Sequence, residues 1–168
     1  MSSVRRWLAA FVVVALPCSL AAQTGPDGLA LARKMLAEDN PGELWIDRGK
    51  DLFFQKRGPR NESLERCDFG LGPGKLEGAS VRLPRYFADT DRVQDLESRL
   101  LTCMVELQGF KREDLAKTAI SPALSNGSDI EALALYVTSR SNGMKMNVTL
   151  DHPQEREMYE VGRYLFHR

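Results

Sequence analysis

Cysteine and histidine are the residues of this sequence best suited to redox or metal chemistry, and there are few of them. The 168-residue chain has three cysteines, Cys18, Cys67 and Cys103, and two histidines, His152 and His167. Cys18 lies in a segment that we expect to be removed. The remaining pair, in an exported protein, most simply forms a disulfide, and two separate buried thiols are the alternative. Two histidines alone make no metal site, so we predict solvated histidines, no metal site and no catalytic residue in this chain.

The N-terminus has the three parts of a secretory signal peptide. A positively charged start precedes an unbroken apolar run over residues 8–16, and small residues follow it. The run is shorter than the about 20 apolar residues that span a bilayer. We therefore expect cleavage after Ala21 or Ala22 and no membrane anchor. A buried N-terminal helix is one alternative, and a lipidated Cys18 is another, although Pro17 occupies the place of the small residue that should precede such a cysteine.

The composition of the remaining chain excludes few functions. Roughly 146 residues remain, which is enough for one domain with a hydrophobic core. Without Arg5 and Arg6 the chain has 21 basic and 23 acidic residues, a formal charge of −2. No basic patch stands out, so the charge pattern does not favour nucleic acid as a partner.

Apolar periodicity and capping residues predict an all-α domain. Helices are expected over residues 27–36, 40–56, 90–109 and 128–143. The last one begins with a capping box formed by Ser128 and Glu131. Gly49 lies on the packing face of the second helix, where close approach of another helix would offset about 1 kcal/mol of lost helix propensity. Residues 58–89 form a long irregular stretch, and residues 144–150 show the only hint of strand alternation.

A further helical pattern begins after Pro153 and repeats part of the second helix. Residues 48–53 and 161–166 share a glycine, a basic residue, a leucine and a phenylalanine in register, 113 positions apart. Such self-similarity indicates that a second copy of the same domain begins here. Chance similarity over six residues is the alternative.

Two of the predicted helices resemble the first and last helices of class I c-type cytochromes. The first carries Gly49, Leu52 and Phe53 and leads into a loop and a cysteine, and the last carries Tyr136 and Val137 behind its cap. The resemblance implies that the two helices pack against each other through the glycine.

A C-x-x-C-H motif attaches haem in such proteins, through two thioether bonds and a histidine that ligates the iron. At the matching place this chain has Leu64-Glu65-Arg66-Cys67-Asp68. Leu64 stands where the first cysteine is expected and Asp68 where the histidine is expected, so only Cys67 remains. The sequence has no other C-x-x-C-H. We therefore predict that this domain binds no haem covalently.

A more specific resemblance extends over about residues 27–168. The segments that carry it are Asp39–Trp45, Arg57–Asn61, Leu100–Met104, His152–Glu155, Met158-Tyr159 and Gly162. In their order and spacing they resemble the N-terminal half of the SoxA family, the larger cytochrome subunits of the SoxAX complexes of bacterial sulfur oxidation.

The chain is most similar to the monohaem form of that family, whose first domain has lost its haem. By this resemblance Cys67 corresponds to the surviving attachment cysteine and Cys103 to the former axial ligand of the iron. The resemblance implies a disulfide between them, worth roughly 4 kcal/mol for a loop of this size. Side chains must then fill the vacated pocket, and the candidates are Phe69, Leu71, Leu76, Tyr86 and Phe87.

The resemblance also implies an activity, in the periplasm. SoxAX is an L-cysteine S-thiosulfotransferase that joins thiosulfate oxidatively to a cysteine of the carrier SoxYZ, and SoxX is the small cytochrome partner. The catalytic haem c belongs to the second SoxA domain, whose attachment motif would lie beyond Arg168. We expect a signal peptide at 1–22, a haemless cytochrome c-like domain at 23–146, and a linker with the first helix of a truncated second domain at 147–168. A non-catalytic haemless module that docks a cytochrome or a sulfur carrier is the alternative.

Overall fold

The structure is a computed structural model that describes residues 26–38, 40, 42–119 and 128–167. It divides into two units, residues 1–40 and residues 41–168. The predicted signal peptide lies outside the described residues. The first unit contributes helix α1 (Pro26–Glu38), whose larger apolar side chains Leu29, Leu31, Met35 and Leu36 are exposed.

The second unit is predominantly helical. Its helices are α2 (Gly42–Phe54), α3 (Leu96–Glu106), α4 (Arg112–Ala119), α5 (Asp129–Ser139) and α6 (Pro153–Phe166). A 3₁₀ turn covers Ser80–Arg82, and the strands β1 (Arg85–Phe87) and β2 (Arg92–Gln94) pair antiparallel, with Tyr86 opposite Val93. The all-α prediction did not include this strand pair.

Helices α2 and α5 pack most closely, at Gly49. A Cβ atom at this position would overlap the backbone carbonyl of Ala132, so only glycine allows the two helix backbones to approach this far. Phe53 on α2 and Leu133 on α5 are buried in the same core. Arg48 and Arg57 donate to the two carboxylate oxygens of Asp129, at 2.7 Å and 2.5 Å, at the start of α5.

Helix α5 begins as the sequence predicts. The Ser128 side chain accepts from the Glu131 N–H, and the Glu131 side chain accepts from the Ser128 N–H, so the capping box is confirmed. The helix ends at Ser139, four residues before the predicted limit, because the N–H groups of residues 140–142 donate to carbonyls three positions back rather than four. Gly143, with a positive φ of 78°, lies in the turns that follow.

The structure differs from the sequence expectations in three further respects. Helix α3 begins at Leu96 rather than near residue 90, with Asp95 as its N-cap, because Val93 belongs to strand β2. Helix α4 was not predicted, since its sequence is largely polar. Residues 144–150 form no strand.

Candidate functional site

The loop between α2 and the 3₁₀ turn brings Cys67 to the side of helix α3, where a disulfide joins it to Cys103. The two Cα atoms lie 5.6 Å apart and the bond closes a loop with a sequence separation of 36. Both cysteines are buried, at 1% and 3% exposure. The chain turns at Cys67 because its N–H donates to Leu64 O at 2.8 Å, and its carbonyl accepts from Gly74 N–H at 3.2 Å.

Leu64, which stands where a first attachment cysteine would be expected, is a core residue. Its side chain is fully buried, and its N–H donates to Phe53 O at 2.9 Å, which fixes the loop to the end of α2. A buried leucine offers no group that could form a thioether bond, so this position contributes packing and not chemistry.

Asp68, which stands where an iron-ligating histidine would be expected, organises the glycine-rich turn that follows it. Its Oδ1 accepts from the N–H groups of Gly70 at 2.7 Å and Gly72 at 2.9 Å. Both glycines have positive φ, at 92° and 97°, a conformation that other residues adopt only under strain. The carboxylate thus holds a local turn.

Arg99 is the residue of this site that the sequence analysis missed. It lies on α3 one turn before Cys103, and it is only 4% exposed. Its Nε donates to Asp68 O at 2.6 Å, and its guanidinium lies 4.0 Å from the centre of the Phe87 ring. An ion pair with Asp89 at 2.8 Å balances its charge. A buried guanidinium therefore connects the Cys67 loop, the strand pair and α3.

Leu64, Cys67 and Asp68 do not fit the covalent attachment of haem. One of the two thiols is replaced by a buried leucine, the sulfur of Cys67 is bonded to Cys103, and the Asp68 carboxylate is engaged by two backbone N–H groups. Of the side chains proposed to fill the pocket, Phe69, Leu76 and Phe87 are buried in the core, and half-buried Leu71 packs against it. Tyr86 is half-buried and does not belong to this core.

Tyr86 forms part of a junction between the strand pair and α6. Its ring stacks on His152, with the ring centres 3.6 Å apart, and its hydroxyl donates to Asp91 at 2.9 Å. This hydrogen bond, with some burial and the charge of Asp91, raises the pKa of the Tyr86 hydroxyl. The prediction of a solvated His152 was therefore wrong, because His152 is stacked on Tyr86 and also caps α6.

Glu155 is the buried acid of the same junction. Its Oε1 accepts from Tyr86 N–H at 2.7 Å and its Oε2 accepts from His152 N–H at 2.9 Å. Burial by itself raises the pKa of Glu155, but these N–H donors, together with the charge of Arg85, outweigh burial and lower the pKa below its ordinary value. A carboxylate that stays ionised thus attaches the first turn of α6 to the strand pair.

Two basic residues of the loop that follows α2 make specific contacts. Arg57 pairs with Asp129 and lies 5.7 Å from the centre of the Phe110 ring, and Arg60 donates to the carbonyl of Glu106.

His167 contacts the Phe166 ring edge-on. In the part of the chain that the structure describes, no three His, Cys, Asp or Glu side chains are grouped to hold a metal ion.

Within the described ranges, every helix is too short or too polar to cross a bilayer.

The chain is similar to proteins of known family. Residues 48–146 match the family described as SoxA/TsdA, cytochrome c domain. The chain is 44% identical, over 136 residues, to the L-cysteine S-thiosulfotransferase subunit SoxA of Hydrogenophilus thermoluteolus, an alignment that covers 80% of this chain and 48% of that protein. A protein of the same description from Hydrogenobacter thermophilus is 36% identical over 127 residues, covering 76% of this chain and 46% of the relative.

A more distant relative is similar over a comparable part of the chain. The SoxA subunit of Paracoccus pantotrophus is 25% identical over 129 residues, which cover 77% of this chain and 40% of that protein. The chain thus spans about half the length of the curated relatives it matches or less.

Proposed function

Because the chain belongs to the SoxA/TsdA cytochrome c domain family, we propose that it is a SoxA-like subunit of the periplasmic complex that joins thiosulfate oxidatively to a cysteine of a carrier protein. The observation that carries the proposal is the 44% identity, over 80% of the chain, to a SoxA subunit named as an L-cysteine S-thiosulfotransferase. A SoxX-like cytochrome and a SoxYZ-like carrier are the proposed partners, and a signal peptide at residues 1–22 is the proposed route of export.

In this proposal the domain over residues 23–146 is a haemless scaffold and partner surface. The disulfide of Cys67, the burial of Leu64 and the turn-forming role of Asp68 all support a domain that holds itself together without haem. These three positions are vestiges of a haem-attachment motif. The haem c that carries out the redox chemistry then belongs to a second cytochrome domain, which begins with residues 147–168.

Helix α6 supports the proposed second domain. Its sequence repeats part of α2, yet the described residues place nothing within 4 Å of a Cβ atom built at Gly162. Several large apolar side chains of this helix are exposed, namely Met158, Tyr159, Val161, Tyr164, Leu165 and Phe166. In α2, Gly49 and Phe53, which correspond to Gly162 and Phe166, are buried.

The test is the intact mass and haem content of the protein isolated from the periplasm of its host. A mass well above that of the processed chain, with one covalent haem, is the expected result. A mass that matches residues 22 or 23 to 168 less two hydrogens, without haem, would require the catalytic role to be withdrawn.

The second candidate function is a non-catalytic haemless module that docks a cytochrome or a sulfur-carrier protein. The buried disulfide favours it, because neither cysteine of the pair is free to react. This module would form a complex with its partner without any thiosulfate-dependent turnover. Turnover by the purified protein with its partners distinguishes the two functions.

A further inference from the structure

The turn that follows α5 contains an asparagine directly before a glycine, Asn142 and Gly143. The main-chain nitrogen that follows an asparagine can attack the amide carbon of its side chain and close a cyclic imide. A glycine in the second position hinders this attack least, because it has no Cβ atom. The sequence has one other such pair, Asn126 and Gly127, which lies outside the described residues.

Asn142 presents its side-chain amide to solvent. The residue is exposed, and its side chain makes no hydrogen bond to any described residue. Its own N–H donates to Ser139 O at 3.2 Å, so the main chain is held in the turn while the side-chain amide carbon stays accessible. Asparagine is one of the thermolabile residue types, and here the fold does not shield it.

Gly143 leaves its main-chain nitrogen open to the reaction. Hydrogen bonds close the turn on both sides of it, one from Asn142 N–H and one from Met144 N–H, which donates to Ser141 O at 3.0 Å. The N–H of Gly143 itself has no partner among the described residues. Nothing lies within 4 Å of a Cβ atom built at Gly143, so its surroundings leave room for the ring to close.

The other described asparagines each lack one of these conditions. Asn40 precedes a proline, whose nitrogen carries no proton. Asn61 precedes Glu62, whose N–H is engaged in a backbone hydrogen bond at 3.3 Å. Asn147 precedes Val148, whose β-branched side chain crowds the adjacent main-chain nitrogen. None of the three combines an exposed amide with an unhindered nitrogen that lacks a hydrogen bond.

We propose that Asn142 deamidates spontaneously in the folded protein. The nitrogen of Gly143 forms a bond to Cγ of Asn142, the bond from Cγ to Nδ2 breaks, and ammonia leaves with the proton of the attacking nitrogen. Water then opens the cyclic imide at one of its two carbonyls and leaves aspartate or isoaspartate at position 142. Nothing is oxidised or reduced, and water is the only other reactant.

Both products change the segment that leads from α5 towards α6. Each adds a negative charge beyond the C-terminal end of α5, where the helix dipole disfavours it. Isoaspartate also inserts an additional carbon atom into the main chain between Ser141 and Met144, which are joined by a hydrogen bond. The modification does not depend on the proposed function.

The experiment incubates the full chain at mildly alkaline pH and follows the amide of each asparagine by peptide mass spectrometry. Trypsin releases the peptide Ser141–Lys145, in which Asn142 is the only asparagine, and places Asn61 and Asn147 in other peptides. We expect Asn142 to lose ammonia at least roughly tenfold faster than Asn147. Labelling with a methyltransferase specific for isoaspartate identifies that product, and an unincubated sample measures what digestion itself contributes.

Two comparisons test the role of the turn. Asn142→Gln should abolish the reaction in this peptide, because the longer side chain would have to close a larger ring, whereas Asn147→Gln should leave the rate at Asn142 unchanged. The chain unfolded in urea shows the rate without the fold. Unfolding should change the rate at Asn142 by less than about tenfold, because the folded turn already exposes the reacting groups.

Three results would overturn the proposal. They are a reaction at Asn142 no faster than at Asn147, a reaction at Asn142 in the unfolded chain only, and aspartate without isoaspartate, which would indicate direct hydrolysis of the amide and not attack by Gly143. None of them bears on thiosulfate turnover, so this modification and the proposed function can fail independently.

Discussion

Helices α2 and α6 share a sequence pattern but differ completely in burial. In α2, Gly49 contacts the backbone of α5 and Phe53 is 2% exposed, whereas in α6, nothing lies within 4 Å of a Cβ atom built at Gly162, and Phe166 is 86% exposed. The shared pattern is sufficient for a helix with a glycine on its face. Burial of that face requires a second helix, which α5 provides for α2 within the described residues.

The largest expected difference in the free energy of unfolding is between the variants Phe53→Ala and Phe166→Ala. The Phe53 ring packs against the Tyr136 ring at 5.6 Å, so its loss should lower the free energy of unfolding by about 3 to 5 kcal/mol. In the 168-residue chain without the proposed remainder of a second domain, Phe166→Ala should change it by less than about 0.5 kcal/mol. Urea denaturation of both variants provides the measurement. Similar losses in the two variants would show that α6 is buried in solution as α2 is.

Alanine substitutions at Gly49 and Gly162 should change the stability of the protein in opposite directions. Gly49→Ala should lower the free energy of unfolding by about 2 to 3 kcal/mol, because the added methyl group overlaps the carbonyl of Ala132 and helices α2 and α5 must separate. In the 168-residue chain, Gly162→Ala should stabilise the protein by up to about 1 kcal/mol through helix propensity. Thermal unfolding of the two variants measures both effects. A destabilising Gly162→Ala would reveal a helix packed against α6.

Glu155→Gln tests the junction that attaches α6, and the difference from its control variant should be the smallest of the three. The amide retains one acceptor oxygen but loses the charge, so the attachment should weaken by about 1 to 2 kcal/mol. Amide hydrogen exchange in the first turn of α6 should then become roughly tenfold faster. Glu157→Gln, on the exposed side of the same helix, is the control.

The pH dependence of this attachment follows from the lowered pKa of Glu155. The folded pKa lies below the ordinary value of 4.5, so the contribution is fully present above that value and is lost as the pH falls through the folded pKa. Arg85 is the charged side chain that lowers this pKa, and the other contributions that lower it come from the backbone N–H groups of Tyr86, His152 and Asp151. As the pH falls below about 4.5, the protection of α6 amides against hydrogen exchange should decline in the native protein but not in the Glu155→Gln variant. Identical pH profiles would assign the attachment to the Tyr86–His152 stack instead.

Local signals predicted the helices better than the strands. The capping box of Ser128 and Glu131 fixed the start of α5 because its hydrogen bonds join residues only three positions apart. Strands β1 and β2 have three residues each, too short for an alternating pattern, and Val93 fitted the period of the following helix equally well. Asp95, as N-cap of α3, was the signal that would have placed the boundary.

Only the features of the site that depend on residue type alone, and not on contacts made by the fold, could be predicted from the sequence. The missing attachment motif can be read directly at Leu64, Cys67 and Asp68. Arg99 and Glu155 could not be recognised, because their partners lie 31 and 69 positions away. On a helix that also carries Glu97 and Glu106, a single arginine looks like a solvated residue until the loop that it contacts is in place.

The Cys67–Cys103 bond has a consequence for how the protein matures. It closes the domain covalently through the loss of two thiol hydrogens to an oxidant, a reaction in which no prosthetic group takes part. If the proposed haemless domain is correct, its assembly depends on the oxidising machinery of the compartment and not on the delivery of haem. A cell starved of haem should therefore still accumulate this domain in its cross-linked form.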